Sequence, residues 1–227
     1  MTQTLGADSA AAKMDVIYRR QRFIYDATRR YYLFGRDRLI GDLQASGAMT
    51  VLEIGCGTAR NLTLAARHYP EARLYGLDVS EEMLRSARSS IARHGFEKRI
   101  ALEAGDATAF NESKLFGISG FDRIFFSYVL SMVPSWPDAV RHAATLVAPG
   151  GFLSILDFGD FTLYPALVRR AQLAWLRHFS VIPIPAFDSK ITALAEQIGF
   201  ASSTEPLYGG YAFVARIERP NNACPQR

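Results

Sequence analysis

Residues 51–61 combine a short apolar run, two closely spaced glycines and an acidic residue, and this combination can bind a small ligand. The stretch reads Val51-Leu-Glu-Ile-Gly-Cys-Gly-Thr-Ala-Arg-Asn61. Its apolar beginning predicts a central parallel strand over 49–54. Gly55 and Gly57 permit a sharp turn that brings backbone N–H groups close to a ligand, and the helix that follows directs its positive end at the same place. Glu53 adds an anion near the strand end, where a cationic group could bind.

Two further acidic residues follow predicted strands. Asp78 ends the second strand, 21 residues beyond Gly57, and Asp106 follows the third. A carboxylate in the position of Asp78 can accept two hydrogen bonds from ribose hydroxyls, and Asp106 could accept one from an adenine amine. Together with Glu53, these residues suit a ligand that contains an amine, a ribose and an adenine but no phosphate. S-adenosylmethionine has these parts and carries a positive sulfonium as well.

Two common nucleotide-binding motifs are missing from the sequence. The dinucleotide fingerprint G-x-G-x-x-G requires a third glycine, whereas Thr58, Ala59 and Arg60 follow Gly57 here. A phosphate-binding loop would continue with Gly-Lys and then Ser or Thr, which this stretch lacks. Both absences argue against a phosphate-bearing ligand at this turn.

Predicted strands and helices alternate along most of the chain. Five β-α units followed by a hairpin at Gly209-Gly210 predict an α/β fold, a Rossmann-like seven-stranded, mostly parallel sheet with an antiparallel last strand. Ligands of such sheets bind at the carboxyl ends of the strands. The predicted strands are 49–54, 72–77, 99–104, 121–127, 152–157, 201–207 and 211–217, and the predicted helices are 12–32, 37–44, 59–68, 81–94, 138–146, 162–179 and 189–198.

The charge and the element pattern divide the chain into three parts. We expect a helical cap over 1–48, a main domain over 49–218 with a helical insertion at about 160–187, and a tail over 219–227. Between residues 13 and 38, eight Lys and Arg residues face three Asp residues, against a net charge of +4 for the whole chain. Such a segment can meet nucleic acid or an anionic membrane surface, or it can be a solvated helix face.

Composition favours a protein of the cytoplasm. Apolar residues make up 49% of the 227 residues, which suffices for a buried core, and no apolar run approaches the roughly 18–20 residues of a membrane span. We expect no signal peptide. The two cysteines, Cys56 and Cys224, give neither a disulfide framework nor a zinc spacing, so we expect reduced thiols and no metal.

The sequence resembles class I S-adenosylmethionine-dependent methyltransferases. The matching segments are 51–58, 76–84, 105–107, 121–124 and 146–151. The third glycine that is usual in this class is Ala59 here. The resemblance implies that Gly55 and Gly57 approach the methionine moiety, that Asp78 holds the ribose, and that Ser127 faces the methyl group. The complete set of residues predicted at the cofactor is Tyr32, Arg36, Glu53, Gly55, Cys56, Gly57, Asn61, Asp78, Val79, Met83, Gly105, Asp106, Ala107 and Ser127.

The methyl acceptor is indicated by a second, less specific resemblance. Segments 24–26, 29–40, 127–136 and 156–160 are similar to the bacterial N-methyltransferases of betaine-lipid synthesis. This similarity implies threefold methylation of the amine of diacylglycerylhomoserine. Phosphatidylethanolamine N-methyltransferases, small-molecule N- or O-methyltransferases and a non-catalytic binding module are the alternatives. No nucleic-acid substrate is expected, because the Asn/Asp-Pro-Pro-Tyr segment of nucleobase methyltransferases does not follow the fourth strand.

Amine methylation requires a neutral nitrogen, so the site needs polar groups near the acceptor. Tyr25, Tyr128 and Asp160 are predicted to orient the amine or to accept its proton. Arg36 could pair with the methionine carboxylate of the cofactor or with the homoserine carboxylate of a lipid. The residues predicted to hold a quaternary ammonium through their aromatic faces are Tyr18, Tyr25, Tyr32, Phe126, Tyr128 and Trp136.

Membrane contact is a further expectation. The basic N-terminal helix and the amphipathic helix over 162–179 both suit an anionic bilayer surface, although the second is equally compatible with packing on the core. We therefore expect a cytoplasmic protein, peripheral at the inner membrane if the acceptor is a lipid.

Overall fold

The computed structural model of the chain describes residues 32–221. Most of the helix predicted over 12–32 therefore lies outside the described residues, as does the end of the tail. The strands are β1 (Thr50–Ile54), β2 (Arg73–Asp78), β3 (Ile100–Ala104), β4 (Phe121–Ser127), β5 (Val147–Phe158), β6 (Ala201–Leu207) and β7 (Ala212–Glu218). The α-helices are α1 (Arg36–Gly41), α2 (Arg60–His68), α3 (Glu81–His94), α4 (Glu112–Phe116), α5 (Trp136–Thr145), α6 (Ala166–His178) and α7 (Phe187–Gln197).

The seven strands form one sheet in the order β3-β2-β1-β4-β5-β7-β6. Neighbouring strands from β3 to β5 pair in parallel, and β7 pairs antiparallel with both β5 and β6. This arrangement confirms the predicted fold class. The strand order reverses between β1 and β4, and open α/β sheets bind ligands at such a point.

The apolar character of β1 follows from burial on both sheet faces. Successive side chains of a strand point to opposite faces, so Val51 belongs to one core cluster while Leu52 and Ile54 belong to the other. Helices α1, α2, α3 and α6 contribute to the first cluster, and α5 and α7 contribute to the second. Glu53 shares the face of Val51 and is therefore directed toward the first layer of helices.

Three local predictions require correction. The Pro149-Gly150-Gly151 segment is an irregularity inside a longer β5, where the pairing register with β4 shifts. The hairpin loop covers residues 208–211 and forms a short 3-10 turn, because the last β6–β7 pair joins Leu207 to Ala212. The helix predicted from residue 162 begins only after Pro165, whose missing N–H is tolerated at a helix start.

One helix was not predicted. The segment between β3 and β4 contains α4, which Asn111 caps by accepting a hydrogen bond from the Lys114 backbone N–H at 2.8 Å. Among the residues described, no helix is long and apolar enough to cross a membrane. The division into cap, main domain and tail stays a prediction.

Leu52→Ala tests the contribution of the central strand to stability. Leu52 is fully buried in β1, so truncation should lower the free energy of unfolding by about 2–5 kcal/mol through lost apolar contacts and a residual cavity. Urea unfolding monitored by circular dichroism measures the change. Lys190→Ala on the exposed face of α7 is the control and should stay within about 0.5 kcal/mol of the unaltered protein. Equal effects of the two substitutions would contradict this account.

Candidate active site

A cleft lies at the carboxyl ends of β1, β2, β3 and β4, and it has two adjacent chambers. The apolar chamber, of about 200 Å³, is lined by the ends of β1 to β4 and by residues 127–129 and 132–135. The polar chamber, of about 400 Å³, is lined by residues of α1, β1, α2 and the turn between β1 and α2. Gly55, Gly57 and Ser127 line both chambers. The glycine turn is therefore the boundary at which the two chambers meet.

The glycine turn leaves no room for a side chain at its first position. Gly55 has a φ of +75°, and a Cβ built there would lie 2.5 Å from the Cγ2 atom of Val129. The N–H groups of Gly55 and Cys56 both donate to the Leu77 carbonyl, at 2.7 and 2.9 Å. These two hydrogen bonds fix the turn to β2, so the close approach of its backbone to the cleft is built into the fold.

Ala59 occupies the position of the missing third glycine and adopts a left-handed conformation. Its φ of +60° lies at the N-cap of α2, in a region that costs a residue with a Cβ roughly 1–2 kcal/mol. Ala59 is fully buried. The alanine is thus compatible with the helix start, and the surrounding packing offsets the cost.

Asp78 connects the two loops that form the apolar chamber. Its Oδ2 atom accepts a hydrogen bond from the Gly57 N–H at 2.7 Å, and its Oδ1 atom accepts one from the Ser80 N–H at 2.9 Å. A carboxylate has about four lone-pair sites, so these bonds leave Asp78 able to accept from a ligand as well. The predicted cofactor residues Val79, Met83, Gly105 and Ala107 line the same chamber.

Asp106 also lines the apolar chamber, but it is largely exposed. Its Oδ1 atom accepts hydrogen bonds from both the backbone N–H and the hydroxyl of Thr108, each at 2.8 Å. This turn fixes the direction of the carboxylate at the rim of the chamber.

The polar chamber contains a buried acid. Glu53 is 1% exposed, and its Oε1 atom accepts a hydrogen bond from the Asn61 amide at 2.7 Å. Burial raises the pKa of Glu53 to about 8, against the lowering effects of the Asn61 hydrogen bond and the Arg36 charge. Within residues 32–221, the Glu53 Oε2 and Ser127 Oγ atoms are buried without a hydrogen-bond partner. Both residues line the polar chamber, so this chamber offers two polar atoms to a ligand.

Arg36 and Cys56 line the polar chamber too. Arg36 is largely buried, and its Nε atom donates to the Leu33 carbonyl at 3.1 Å. Burial raises the pKa of the Cys56 thiol, so the thiol remains protonated. Tyr32 lines neither chamber and packs edge-on against Trp175 with ring centroids 4.8 Å apart.

The residues predicted near the methyl acceptor are only partly brought together. Tyr128 lines the apolar chamber, and its hydroxyl donates to the Phe34 carbonyl at 2.6 Å. Asp160 lines neither chamber, and its Oδ1 atom accepts a hydrogen bond from the Thr162 N–H at 3.2 Å. Tyr18 and Tyr25 lie outside the described residues.

Two aromatic candidates for holding an ammonium group are better explained by the core. Phe126 is fully buried in β4 and points to the sheet face opposite Ser127. Trp136 packs against the same core cluster at the start of α5. Neither side chain lines a chamber of the cleft. The expectation was wrong for the fully buried Phe126 and stays a prediction for Trp136.

Val129 and Asp157 also shape the cleft, and neither was predicted from the sequence. Val129 fills the space that a side chain at Gly55 would need, and nothing in its apolar character marked it. Asp157 is buried and accepts hydrogen bonds from the backbone N–H groups of Ser131 at 3.1 Å and Phe158 at 2.7 Å. It therefore fixes the segment that lines the apolar chamber. Asp157 lies near the end of β5, so the sequence signal that indicated Asp78, an acidic residue at the end of a predicted strand, applies to it as well.

The sheet order, the glycine turn and the acids at successive strand ends define a class I methyltransferase domain. Residues 45–189 match the family described as methyltransferase domain, and the chain belongs to this family. The predicted class is thereby confirmed.

Known proteins with related sequences or folds agree with this assignment. Demethylmenaquinone methyltransferase of Desulfitobacterium hafniense is 28% identical over 166 residues, which cover 70% of this chain and 62% of that protein. Trans-aconitate 2-methyltransferase of Rhodopseudomonas palustris is 30% identical over 118 residues, covering 52% and 41%. The chain thus spans less than two thirds of the length of these two relatives. Phosphoethanolamine N-methyltransferase 2 of Haemonchus contortus, solved with S-adenosyl-L-methionine, shares the fold with a TM-score of 0.66 at 14% identity, covering 82% of this chain and 53% of that one.

The chemistry of the two chambers fits S-adenosylmethionine, the cofactor of this class. The apolar chamber with Asp78 and Asp106 at its edge matches an adenosine, and the polar chamber with Glu53 and Arg36 matches the charged amino-acid arm. A Cβ at Gly55 would collide with Val129, which lines the apolar chamber, so only a glycine fits at the place where the chambers meet. The cofactor prediction is therefore confirmed at the level of the family.

Glu53→Gln tests the raised pKa of the buried acid. In the protein without cofactor, a pKa near 8, raised from 4.5, means that the folded state holds a proton that the unfolded state has lost. The contribution of Glu53 to the free energy of unfolding is fully present below pH 4.5, and it is lost as the pH rises through about 8. The unaltered protein should lose on the order of 3–5 kcal/mol more than Glu53→Gln over this interval. Chemical unfolding at several pH values measures it, and parallel pH profiles would contradict the assignment.

Asp78→Ala tests the bridge between the two loops. The substitution removes the acceptor for the Gly57 and Ser80 N–H groups, and we expect S-adenosylmethionine to bind roughly 10- to 100-fold more weakly. Isothermal titration calorimetry measures the affinity. Asp138→Ala, which removes an exposed carboxylate paired with Arg141, is the control and should leave the affinity unchanged. An unchanged affinity in Asp78→Ala would contradict the placement of the adenosine beside Asp78 in the apolar chamber.

Proposed function

We propose that this chain transfers the methyl group of S-adenosylmethionine to the amine of a lipid headgroup, of the type found in diacylglycerylhomoserine. The main observation that supports this proposal is an exposed apolar and basic surface around α6, beside the cleft. The sequence similarity of segments 127–136 and 156–160 to betaine-lipid N-methyltransferases adds support, because the first segment lines the apolar chamber.

The surface around α6, here named the α6 surface, is unusual in composition. Of seven large apolar side chains that are exposed in the described residues, five belong to it, and Leu163 and Leu167 are 78% and 80% exposed. The stretch between Asp160 and Asp188 contains three arginines and no acidic residue. Apolar side chains beside arginines are the composition of helices that lie on anionic bilayers. The members of the α6 surface are Leu163, Leu167, Val168, Arg169, Arg170, Trp175, Arg177 and Ile182.

The α6 surface continues directly to the cleft. Phe179, just after α6, packs with Met132 against Met83, which lines the apolar chamber. The Ile182 N–H donates to the Ser131 carbonyl at 2.9 Å, which joins this segment to the wall of the chamber. A headgroup that projects from a bilayer under the α6 surface would therefore be close to the cleft.

The proposed reaction relies on positioning more than on acid–base chemistry. S-adenosylmethionine supplies the methyl group as an electrophile on sulfur. Asp78 would hold the ribose of its adenosine part, and the glycine turn, Glu53 and Arg36 would hold its amino-acid arm. Displacement at a methyl group needs an aligned site from which water is excluded, and the apolar lining of the first chamber favours this exclusion.

The acceptor amine has to lose its proton before the transfer. Burial raises the pKa of Tyr128, and its hydroxyl already donates to the Phe34 carbonyl. Tyr128 is therefore poorly suited to accept the proton, and we assign it an orienting function. Tyr25 and Asp160 stay predictions for the proton acceptor.

A small-molecule N- or O-methyltransferase is the second candidate. It is favoured by the relatives named for demethylmenaquinone and trans-aconitate, and by the fold neighbour named for phosphoethanolamine. In this case the α6 surface would have no part in catalysis. A non-catalytic binding module, the third candidate, would bind the cofactor without turnover.

Methyl transfer to lipid vesicles tests the proposal. The purified protein, with methyl-labelled S-adenosylmethionine, should methylate diacylglycerylhomoserine in anionic vesicles and bind these vesicles less at high salt. Leu167→Ser and Arg170→Glu should each reduce vesicle binding and lipid methylation by roughly tenfold, since each removes apolar or cationic contact with the bilayer. Cofactor affinity should not change.

Arg93→Glu is the matched charge control, because Arg93 is exposed in the last turn of α3, outside the α6 surface. It should retain vesicle binding. Equal turnover with free homoserine and with the lipid, together with salt-independent absence of vesicle binding, would refute the lipid assignment and favour a small-molecule acceptor.

A further inference from the structure

Three consecutive backbone carbonyls in segment 32–35 each accept a hydrogen bond from a side chain. The Tyr32 carbonyl accepts from the Tyr211 hydroxyl at 2.7 Å, and the Phe34 carbonyl accepts from the Tyr128 hydroxyl at 2.6 Å. Between them, the Leu33 carbonyl accepts from the Nε atom of Arg36 at 3.1 Å. The two tyrosines belong to distant parts of the chain but pack around the same Phe158 ring, with ring centroids 4.6 and 6.0 Å away, so segment 32–35 is held by two separate parts of the fold.

The hydrogen bond of Tyr128 links a residue of the apolar chamber to the segment that carries residues of the polar chamber. Tyr128 lines the apolar chamber and directly follows Ser127, which lines both. At the other end of this bond, segment 32–35 leads into α1, whose first residue is Arg36. Leu33 and Arg36 line the polar chamber. A displacement of the Phe34 carbonyl would therefore be passed on to the guanidinium of Arg36.

The surrounding structure fixes both partners of this hydrogen bond. Tyr128 has a left-handed φ of +59°, which is costly for a tyrosine. Its N–H donates to the Leu156 carbonyl at 2.7 Å, and its ring lies 4.6 Å from that of Phe158. Gly35 has a φ of +83°, and a Cβ there would lie 3.2 Å from Leu207. Strain of this kind is retained where a side chain must point in one direction.

Both tyrosine hydroxyls remain hydrogen-bond donors across the working pH range. Burial raises the pKa of Tyr128 and that of Tyr211. Deprotonation would place a buried phenolate next to a carbonyl oxygen, which is unfavourable. The contacts to segment 32–35 are therefore independent of pH in the neutral range.

We propose that Tyr128 and Tyr211 are positioning residues that hold segment 32–35 so that Arg36 binds the carboxylate of the methionine moiety of the cofactor. The planar guanidinium of arginine matches a carboxylate with two parallel hydrogen bonds, and a small displacement removes this match. The inference rests on the cofactor and is independent of the methyl acceptor.

Two thioether ligands that differ only in the amino-acid arm test the proposal. S-adenosylhomocysteine carries the arm, whereas 5′-methylthioadenosine has a methyl group in its place. Tyr128→Phe should weaken S-adenosylhomocysteine binding by about 5- to 30-fold and leave 5′-methylthioadenosine within about twofold. Tyr211→Phe should change the affinities in the same direction. Isothermal titration calorimetry measures both ligands without any acceptor.

Tyr164→Phe is the matched control. Its hydroxyl donates to the Tyr208 carbonyl at 3.0 Å, outside segment 32–35, so neither affinity should change. In Arg36→Gln, the additional Tyr128→Phe substitution should have little further effect on S-adenosylhomocysteine binding.

Equal weakening of both ligands would overturn the proposal, because it would indicate general distortion of the cleft. Unchanged affinities in both Tyr128→Phe and Tyr211→Phe would overturn it as well. Thermal unfolding of each variant establishes that the protein is folded, and Tyr211→Phe decides the question if Tyr128→Phe is not. Failure of lipid methylation would leave these binding results unaffected.

Discussion

The hydrogen bond between the Gly57 N–H and the Asp78 carboxylate determines the shape of the whole cleft. It ties the turn after β1 to the end of β2, while the neighbouring N–H groups of Gly55 and Cys56 both donate to the Leu77 carbonyl of β2. A charged acceptor makes this bond stronger than a neutral one. The turn thereby separates the apolar from the polar chamber, and each chamber presents the groups that one half of S-adenosylmethionine requires.

Three energetically unfavourable features lie at the cleft. Glu53 is buried with one oxygen unpaired in the described part of the chain, and Ala59 and Tyr128 adopt left-handed conformations. Such features persist only where the surrounding structure compensates for them. Here the compensation comes from the two core clusters on either side of the sheet. These features lower the stability of the folded protein without cofactor, and binding of the cofactor at the same place would raise it again.

Sequence reasoning predicted β1 to β4 to within about one residue, because apolar runs and glycine or acidic strand ends are local signals. The same signals located Gly55, Asp78 and Glu53. The hydrogen bond between Tyr128 and Phe34 could not be predicted, since it joins residues 94 positions apart. Phe126 was wrongly predicted to face the ligand because it is aromatic. Neighbouring side chains of a strand point to opposite faces of the sheet, so Phe126 points away from the face of Ser127. The contact of Val129 with Gly55 could not be predicted either, because it depends on the space around Gly55 in the folded chain.

The position of β7 has a consequence for the order in which the molecule can be completed during synthesis. β7 follows β6 in the chain but lies between β5 and β6. The ribosome must therefore release residues 212–218 before β5 can lose its open edge, which until then is a surface for unwanted pairing. Tyr211 immediately precedes this strand and contacts Tyr32. The segment beside Arg36 is thus held by a residue that is synthesised after β1 to β6, so the cofactor site is not finished in a growing chain until β7 has emerged.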